Sequence, residues 1–264
     1  METIIQILAR ELGQKEQYVE NVVKLLDDGN TVPFIARYRK EMHGTMDDQT
    51  IRQLADRLAY LRGLDERRTE VRDAIDAQGK LTDELAAAIQ EAQTLAALDD
   101  LYRPYRPKRR TRASIAREKG LEPLAAAILA ARTSSPALEA LAKPYIYPEK
   151  GVETAEDALA GAGDIIAEDL SDDANLRGRL RALLHRTGVL KTVGTDEDDT
   201  IYTMYHDFSE PVRRLQSHRV LAINRGEKEG KLKVTLEADE NEAVAAVTRA
   251  ALHPKNPFGD WLRA

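Results

Sequence analysis

Cysteine is absent from this sequence of 264 residues, and aromatic residues make up only 5% of it. Without cysteine the chain can form neither a disulfide framework nor a thiolate zinc site, so a reducing compartment suits it best. We therefore expect a cytoplasmic protein. The five histidines show no HxxxH spacing, which leaves no recognisable pattern for a metal site.

Long apolar runs are absent as well. No stretch approaches the roughly 18 consecutive apolar residues that a membrane-spanning helix needs. The N-terminus also lacks the basic stretch and apolar run of a secretory signal. We expect no membrane partner and no export.

The short motifs of the common enzyme classes are missing too. The sequence has no GxxxxGK(S/T) phosphate loop and no GxSxG nucleophile elbow. The acidic run 196–199 lacks the central glycine and closing glutamate of a calcium loop, so we expect a solvated loop there. These absences together predict a protein that is not an enzyme, with no cofactor and no small-molecule substrate.

What the sequence does contain favours helix. It is rich in Ala, Leu, Glu and Arg, and 32% of its residues are charged, which suits a globular fold with a highly charged surface. Apolar residues recur every three or four positions in many segments. This spacing predicts helices over 2–12, 15–28, a short stretch from Pro33, 47–79, 81–101, 113–119, 122–132, 135–142, 154–170, 172–187 and 239–252. The predicted fold class is mainly α, an irregular multi-helical array without a fixed repeat.

Sheet is predicted in one place only. Leu232, Val234 and Leu236 alternate with polar residues, which is typical of a half-buried strand. Glycines at 226 and 230 suggest a turn before it. We therefore expect a β-hairpin over 217–237, with strands at about 218–224 and 231–237.

The strongest local charge signal is the basic segment, defined as residues 102–112. Eight basic residues and one acidic residue lie between Tyr102 and Lys119. Arginines fork onto phosphates, tyrosine rings can stack on bases, and prolines keep such a segment extended. The candidate residues for binding RNA or DNA are Tyr102, Arg103, Tyr105, Arg106, Lys108, Arg109, Arg110 and Arg112.

A structural interpretation of the same segment stays open. Its arginines could pair with acidic helices such as the one within 153–173, while its tyrosines pack against the fold. A second basic patch, Arg37, Arg39 and Lys40, accompanies Phe34 and Tyr38. There the structural interpretation is favoured, because Arg37 and Glu41 stand four residues apart and can form an ion pair on one helix.

Three long stretches carry a family resemblance: TVPFIARYRKE at 31–41, LDDLYRPYRPK at 98–108 and HRVLAINRGEKEG at 218–230. They resemble the signature stretches of the Tex family, bacterial transcription accessory proteins that bind RNA. The resemblance implies a helical N-terminal region with a helix-turn-helix-like unit inserted at 65–125. It also implies that the chain is part of a longer protein, which continues into a nuclease-like fold, helix-hairpin-helix repeats and an oligonucleotide-binding barrel.

Two functions follow from this resemblance. In the first, the chain contributes to RNA or DNA binding through the basic segment and to transcription regulation. In the second, it is a non-catalytic helical scaffold that positions the missing domains or docks on RNA polymerase. Phe258, Trp261 and Leu262 would then be exposed and would await a missing neighbour.

Overall fold

The computed structural model describes residues 2–44, 46–107, 109–195 and 201–263. The chain divides between Tyr102 and Arg103 into two compact units, residues 1–102 and 103–264. Fourteen α-helices and one small sheet lie within the described residues. The prediction of a mainly α fold is confirmed.

The first unit contains only helices in its described part. They are α1 (Ile4–Leu12), α2 (Glu16–Asp27), α3 (Val32–Tyr38), α4 (Lys40–His43), α5 (Asp48–Asp76), α6 (Asp83–Glu91) and α7 (Leu95–Tyr102). Thr3 and Gln6 cap the start of α1 reciprocally, and Gly13 ends it in the left-handed conformation. Asp47 caps α5 by accepting from the backbone N–H of Thr50.

The apolar stripe predicted for α5 faces the interior. Its buried residues step by three, four or seven positions: Ile51, Leu54, Leu58, Leu61, Leu64, Val71 and Ile75. The first half of the stripe packs with α1, α2 and α3 in one core that includes Leu8, Val22 and Ile35. The second half packs with α6 and α7. One long helix therefore supports both ends of the unit.

The second unit contains seven α-helices in its described part. They are α8 (Arg112–Glu118), α9 (Glu122–Ala130), α10 (Leu138–Ala142), α11 (Ala155–Asp172), α12 (Ala174–Thr187), α13 (Ser217–Lys228) and α14 (Glu240–Ala251). Helices α8 to α11 enclose the larger core of this unit, with Leu124, Ile128 and Ile165 almost fully buried. Helix α11 is the centre of this group, since it packs against α8, α9, α10 and α12.

A three-stranded antiparallel sheet lies between α12 and α14 in the sequence. Its strands are β1 (Val189–Gly194), β2 (Asp207–Pro211) and β3 (Leu232–Glu237), in the order β2-β1-β3. Leu190 pairs with Glu210 on one side and Leu236 on the other. Tyr202, Tyr205, Ile223 and Leu232 form a small core with the inner face of this sheet.

The predicted hairpin over 217–237 is wrong in its first half. The strand at 231–237 is present as β3, but residues 218–224 belong to α13, and β3 pairs with β1 instead. Ala222, Ile223 and Gly226 face the sheet at helical spacing, and Arg225 pairs with Glu229 one turn later. The period of the buried residues is therefore that of a helix, although the segment is rich in β-branched and aliphatic residues.

The expected exposure of the C-terminal apolar residues is also wrong. Phe258 is buried in the core of the second unit, and Trp261 and Leu262 pack against that core half-buried. The helix-turn-helix-like unit at 65–125 stays a prediction, and the division between the two units falls inside that range. No helix in the described ranges combines the length and the apolar character needed to cross a bilayer.

Candidate nucleic-acid interface

The backbone of the basic segment follows from its prolines and its caps. After α7 ends at Tyr102, a single 3₁₀ turn covers Arg103–Tyr105, and residues 106, 107 and 109–111 have no regular structure before α8 begins. Pro104 and Pro107 cannot donate a backbone hydrogen bond, which prevents continuation of the helix. Thr111 and Ser114 then form a reciprocal cap that starts α8. Arg103, Arg106, Arg109 and Arg110 thus lie between α7 and α8, and Arg112 is the first residue of α8.

Three arginines of the segment have carboxylate partners. Arg103 donates from Nε to Oδ1 of Asp172 over 2.9 Å, and this carboxylate is almost buried. The other two pairs are long and exposed: Arg110 to Glu118 at 3.3 Å and Arg112 to Asp164 at 3.3 Å. The Arg112 side chain is 87% exposed despite its partner. Long pairs whose arginine is exposed contribute little to stability.

Two further arginines point the charge of the segment toward solvent. Arg106 and Arg109 are exposed and line a cavity of about 440 Å³ together with Arg103, Thr111 and Ser171 and with two carboxylates of α11, Glu168 and Asp172. Arg109 has no hydrogen-bond or ion-pair partner in the described parts of the chain. Lys108, also a predicted binding residue, lies outside the described residues. Arg106 and Arg109 therefore lie in the part of the segment between the 3₁₀ turn and α8, at described positions without helix or strand.

Acidic residues of α11 bind the C-terminal end of the basic segment and the helix α8 that follows it. Thr111 donates through Oγ1 to Glu168 at 3.0 Å, and Arg117 of α8 bonds Glu168 at 2.6 Å and Asp169 at 2.5 Å. Burial lowers the pKa of the Arg117 guanidinium, but the hydrogen bond to Glu168 and the neighbouring carboxylates outweigh burial and raise it. This cluster keeps α8 against α11. It is the arrangement that the structural interpretation anticipates.

The two tyrosines of the segment are half-buried. The Arg67 guanidinium lies 5.5 Å from the centroid of the Tyr102 ring, in cation–π geometry. Arg67 is itself held by Glu70 and Asp99. One partner of the Tyr102 ring is therefore already supplied by the protein. Tyr105 is partly exposed in the 3₁₀ turn. Base stacking by either ring stays a prediction.

The second predicted patch lies at the junction of α3 and α4. Arg37 and Lys40 are exposed and have no partner within the described residues, whereas Arg39 lies 5.1 Å above the Phe34 ring. The predicted Arg37–Glu41 pair is not formed in this part of the chain. The helix is interrupted at Arg39, whose φ of −133° and ψ of 36° take the two residues off a common helical face.

Sequence reasoning missed another basic element. Helix α12 carries four arginines, Arg177, Arg179, Arg181 and Arg186, together with His185 and no acidic residue. A count of local charges along the sequence would have revealed this basic helix. The spacing of its leucines predicted the helix but not its charge. No group of three or more potential metal ligands comes together among the residues that the structure describes. The acidic run 196–199 lies outside them.

Comparison with known proteins defines the class. The family model of the Tex-like protein N-terminal domain matches residues 2–76, and that of the Tex central region-like domain matches residues 107–262. The chain belongs to the Tex family. It is 52% identical over 241 residues to protein tex of Bordetella pertussis, covering 89% of this chain and 30% of that protein.

More distant relatives are also similar over most of the chain. The transcriptional accessory protein Tex of Neisseria gonorrhoeae is 45% identical over 236 residues, 88% of this chain and 31% of the relative. The human S1 RNA-binding domain-containing protein 1 is 30% identical over 235 residues, 85% of this chain and 23% of the relative. The chain thus spans about a third or less of the curated relatives that it matches.

Proposed function

We propose that this chain is the N-terminal and central part of a bacterial transcription accessory protein, and that its basic segment contributes contacts to the phosphates of RNA or DNA. The observation that carries the proposal is the exposure of Arg106, Arg109 and Arg110 on one short connection and of Arg112 at the start of α8. The names of the relatives support it, since one is a transcriptional accessory protein and another contains an S1 RNA-binding domain.

The paired and exposed arginines have different parts in this proposal. Arg103 is held by the nearly buried Asp172 and fixes the start of the segment. Arg109 then reaches a phosphate without first breaking an ion pair within the described residues, the exposed Arg106 lies beside it, and the weak pairs of Arg110 and Arg112 exchange their carboxylates for phosphate oxygens. The whole chain has a net charge of −6, which keeps its affinity modest. The proposed role is non-catalytic and cytoplasmic.

A second candidate function is a helical scaffold that positions further domains or docks on RNA polymerase. It is favoured by one specific observation: Arg103 and Arg117 bind the α11 carboxylates of Asp172, Glu168 and Asp169. In that case the arginines stabilise the second unit and contact no nucleic acid. The two functions make opposite predictions for binding at low salt.

The deciding experiment is fluorescence anisotropy with labelled single-stranded RNA and duplex DNA across a salt series. The test variant changes Arg106, Arg109 and Arg110 to alanine. Its control changes Arg10, Arg52 and Arg72, three exposed arginines of the first unit, so that both lose the same charge. If each test arginine contacts one phosphate, the slope of log affinity against log salt falls by about 2 for single strands in the test variant only.

The alternative outcomes are equally informative. Equal slopes for wild type and test variant would remove the basic segment from the interface. Failure of the wild-type chain to bind at low salt would favour the scaffold, since the basic segment would then serve the fold alone. Circular dichroism of each variant verifies that the helices are intact.

A further inference from the structure

Helix α12 concentrates positive charge on a surface separate from the basic segment. It has four arginines within 14 residues, while its only adjoining acid is the capping residue Asp173. Helix α14 and the 3₁₀ turn Val212–Arg214 both pack against α12. They bring exposed arginines of their own, Arg249 from α14 and Arg213 and Arg214 from the turn.

A groove between α12 and α14 collects part of this charge. Its volume is about 390 Å³. The lining residues come from both helices: Arg179, Ala182, Leu183 and Arg186 from α12, and Glu242, Ala246 and Arg249 from α14. Three guanidinium groups and a single carboxylate thus surround an apolar floor. The volume lies in the range of about 300–1,000 Å³ that is usual for small organic ligands.

The pairing within the groove leaves two arginines available. Arg186 binds the carboxylate of Glu242 at 2.5 Å, with the Arg186 side chain 64% exposed. Arg179 and Arg249 are exposed and have no hydrogen-bond or ion-pair partner within the described ranges. Neither do Arg213 and Arg214 in the turn beside α12. The side chains of Arg179, Arg249, Arg213 and Arg214 therefore give this surface positive charge that no ion pair within the described ranges neutralises.

The spacing of the arginines favours a ligand with repeated negative charges. Arg179 and Arg249, the two groove arginines without an ion pair, come from different helices, and Arg186, already paired with Glu242, lies two helical turns from Arg179, about 10 Å along α12. Ala182 and Leu183 lie between them on the groove floor. A phosphodiester chain meets this pattern because each nucleotide carries one phosphate, and its sugar or base can cover the apolar floor.

We propose that the α12–α14 groove binds the backbone of single-stranded nucleic acid. Arg179 and Arg249 contact phosphates, and Arg213 and Arg214 extend the positive surface beyond the groove. The site is distinct from the basic segment, which lies against α11, so this inference stands or falls independently of the function proposed for that segment.

The test uses anisotropy with a labelled oligothymidylate and the double variant Arg179→Ala, Arg249→Ala. The control is Arg52→Ala, Arg72→Ala, which removes the same charge from exposed positions on α5. Loss of two phosphate contacts lowers the salt slope by about 1.4 in the groove variant alone. If the alanine variant does not fold, Arg179→Lys, Arg249→Lys keeps the charge and removes only the forked geometry, and a weaker affinity is still expected.

A second variant is expected to change the affinity in the opposite direction. Glu242→Gln releases Arg186 from its carboxylate and is expected to raise the affinity for oligothymidylate. Unchanged affinity in both the Glu242 variant and the double arginine variant would overturn the proposal. So would tighter binding of a duplex of equal charge, or equally effective competition by polyglutamate, since the groove would then serve another ligand class.

The basic-segment variants are measured in parallel. A normal response to Arg106, Arg109 and Arg110 substitution, with no response to the groove variants, would refute the groove and leave the proposed function intact. The reverse result would support the groove and refute the basic segment as the contact.

Discussion

Arg103 and Asp172 connect the first residue of the second unit to the last residue of α11 through a hydrogen-bonded ion pair of 2.9 Å. The Asp172 side chain is 11% exposed, whereas Arg103 is 44% exposed. The carboxylate therefore depends on this partner more than the guanidinium does, because a buried charge without a partner is costly and an exposed one is hydrated.

The first prediction concerns this pair. Arg103→Ala removes the 2.9 Å hydrogen-bonded ion pair of the nearly buried Asp172 carboxylate and is expected to lower the free energy of unfolding by roughly 1–3 kcal/mol. Removal of an exposed partner, as in Asp169→Ala, is expected to cost less than about 1 kcal/mol. Urea unfolding followed by circular dichroism measures both. Equal losses would mean that burial of Asp172 does not decide the strength of its contact.

The second prediction concerns the packing of α13 on β3. A Cβ added at Gly226 would lie 2.7 Å from Cδ1 and 3.0 Å from Cγ of Leu232, and 3.1 Å from Cδ1 of Tyr202. Gly226→Ala is therefore expected to destabilise the second unit by about 1–3 kcal/mol, because this small core has to move apart.

Gly178 provides a matched control for this glycine. It also lies inside a helix, but a Cβ there would meet no atom within 4 Å. Gly178→Ala is expected to stabilise by about 0.5–1 kcal/mol through helix propensity. Thermal unfolding should move in opposite directions for the two variants. A gain in stability for both variants would show that Leu232 and Tyr202 can move away from a Cβ at position 226 without loss of stability.

The third prediction concerns pH. Arg57 binds both oxygens of Glu11 at 2.8 Å, joining α5 to α1. The hydrogen bonds from Arg57 lower the pKa of the Glu11 carboxyl, although burial opposes them. The stabilisation is therefore present above the unfolded pKa of about 4.3 and is lost as the pH falls through the lower folded value.

Glu11→Gln tests this pH dependence. At pH 7 it is expected to lower the free energy of unfolding by less than about 1 kcal/mol, since the pair is about one third exposed. The difference between wild type and variant should shrink once the pH falls below the folded pKa of Glu11. Arg57→Ala should show the same trend, and the double variant should lose less than the sum of the two. A difference that grows on acidification would contradict the assignment.

The fourth prediction separates the residues of the patch at α3 and α4. Arg37→Ala and Lys40→Ala are expected to change stability by no more than about 0.5 kcal/mol, because neither side chain has a partner in the described structure. Arg39→Ala is expected to cost about 0.5–1 kcal/mol more, through loss of its contact with the Phe34 ring. Chemical unfolding of the three single variants checks the order.

The helices were largely predictable because their buried residues follow a helical period that sequence alone displays. The stripe of α5 from Ile51 to Ile75 is an example. The strands β1 and β2 were missed, since β2 is a polar edge strand of only five residues and β1 shows no regular alternation. The positions of these strands depend on pairing between residues that are distant in the sequence, and local sequence patterns do not reveal that pairing.

The site was predictable in its residue types and not in its pairing. The density of arginine and proline at 102–112 is a sequence property, but the partner of Arg103 lies 69 positions away. The sequence anticipated acidic partners within 153–173 without identifying which arginine would find one. The positive charge of the α12 arginines is evident from the sequence. The groove is not, because it forms only where α14 packs against α12.

The order of strands β2-β1-β3 has a consequence for synthesis of the chain. Strand β1 can pair with β2 early, but its other edge receives no partner until α13 and the residues of β3 have left the ribosome. During that interval an unpaired strand edge is open to contact with other chains. Chains ending near Gly230 should therefore aggregate more than chains ending after Glu237, even though they lose only one short strand.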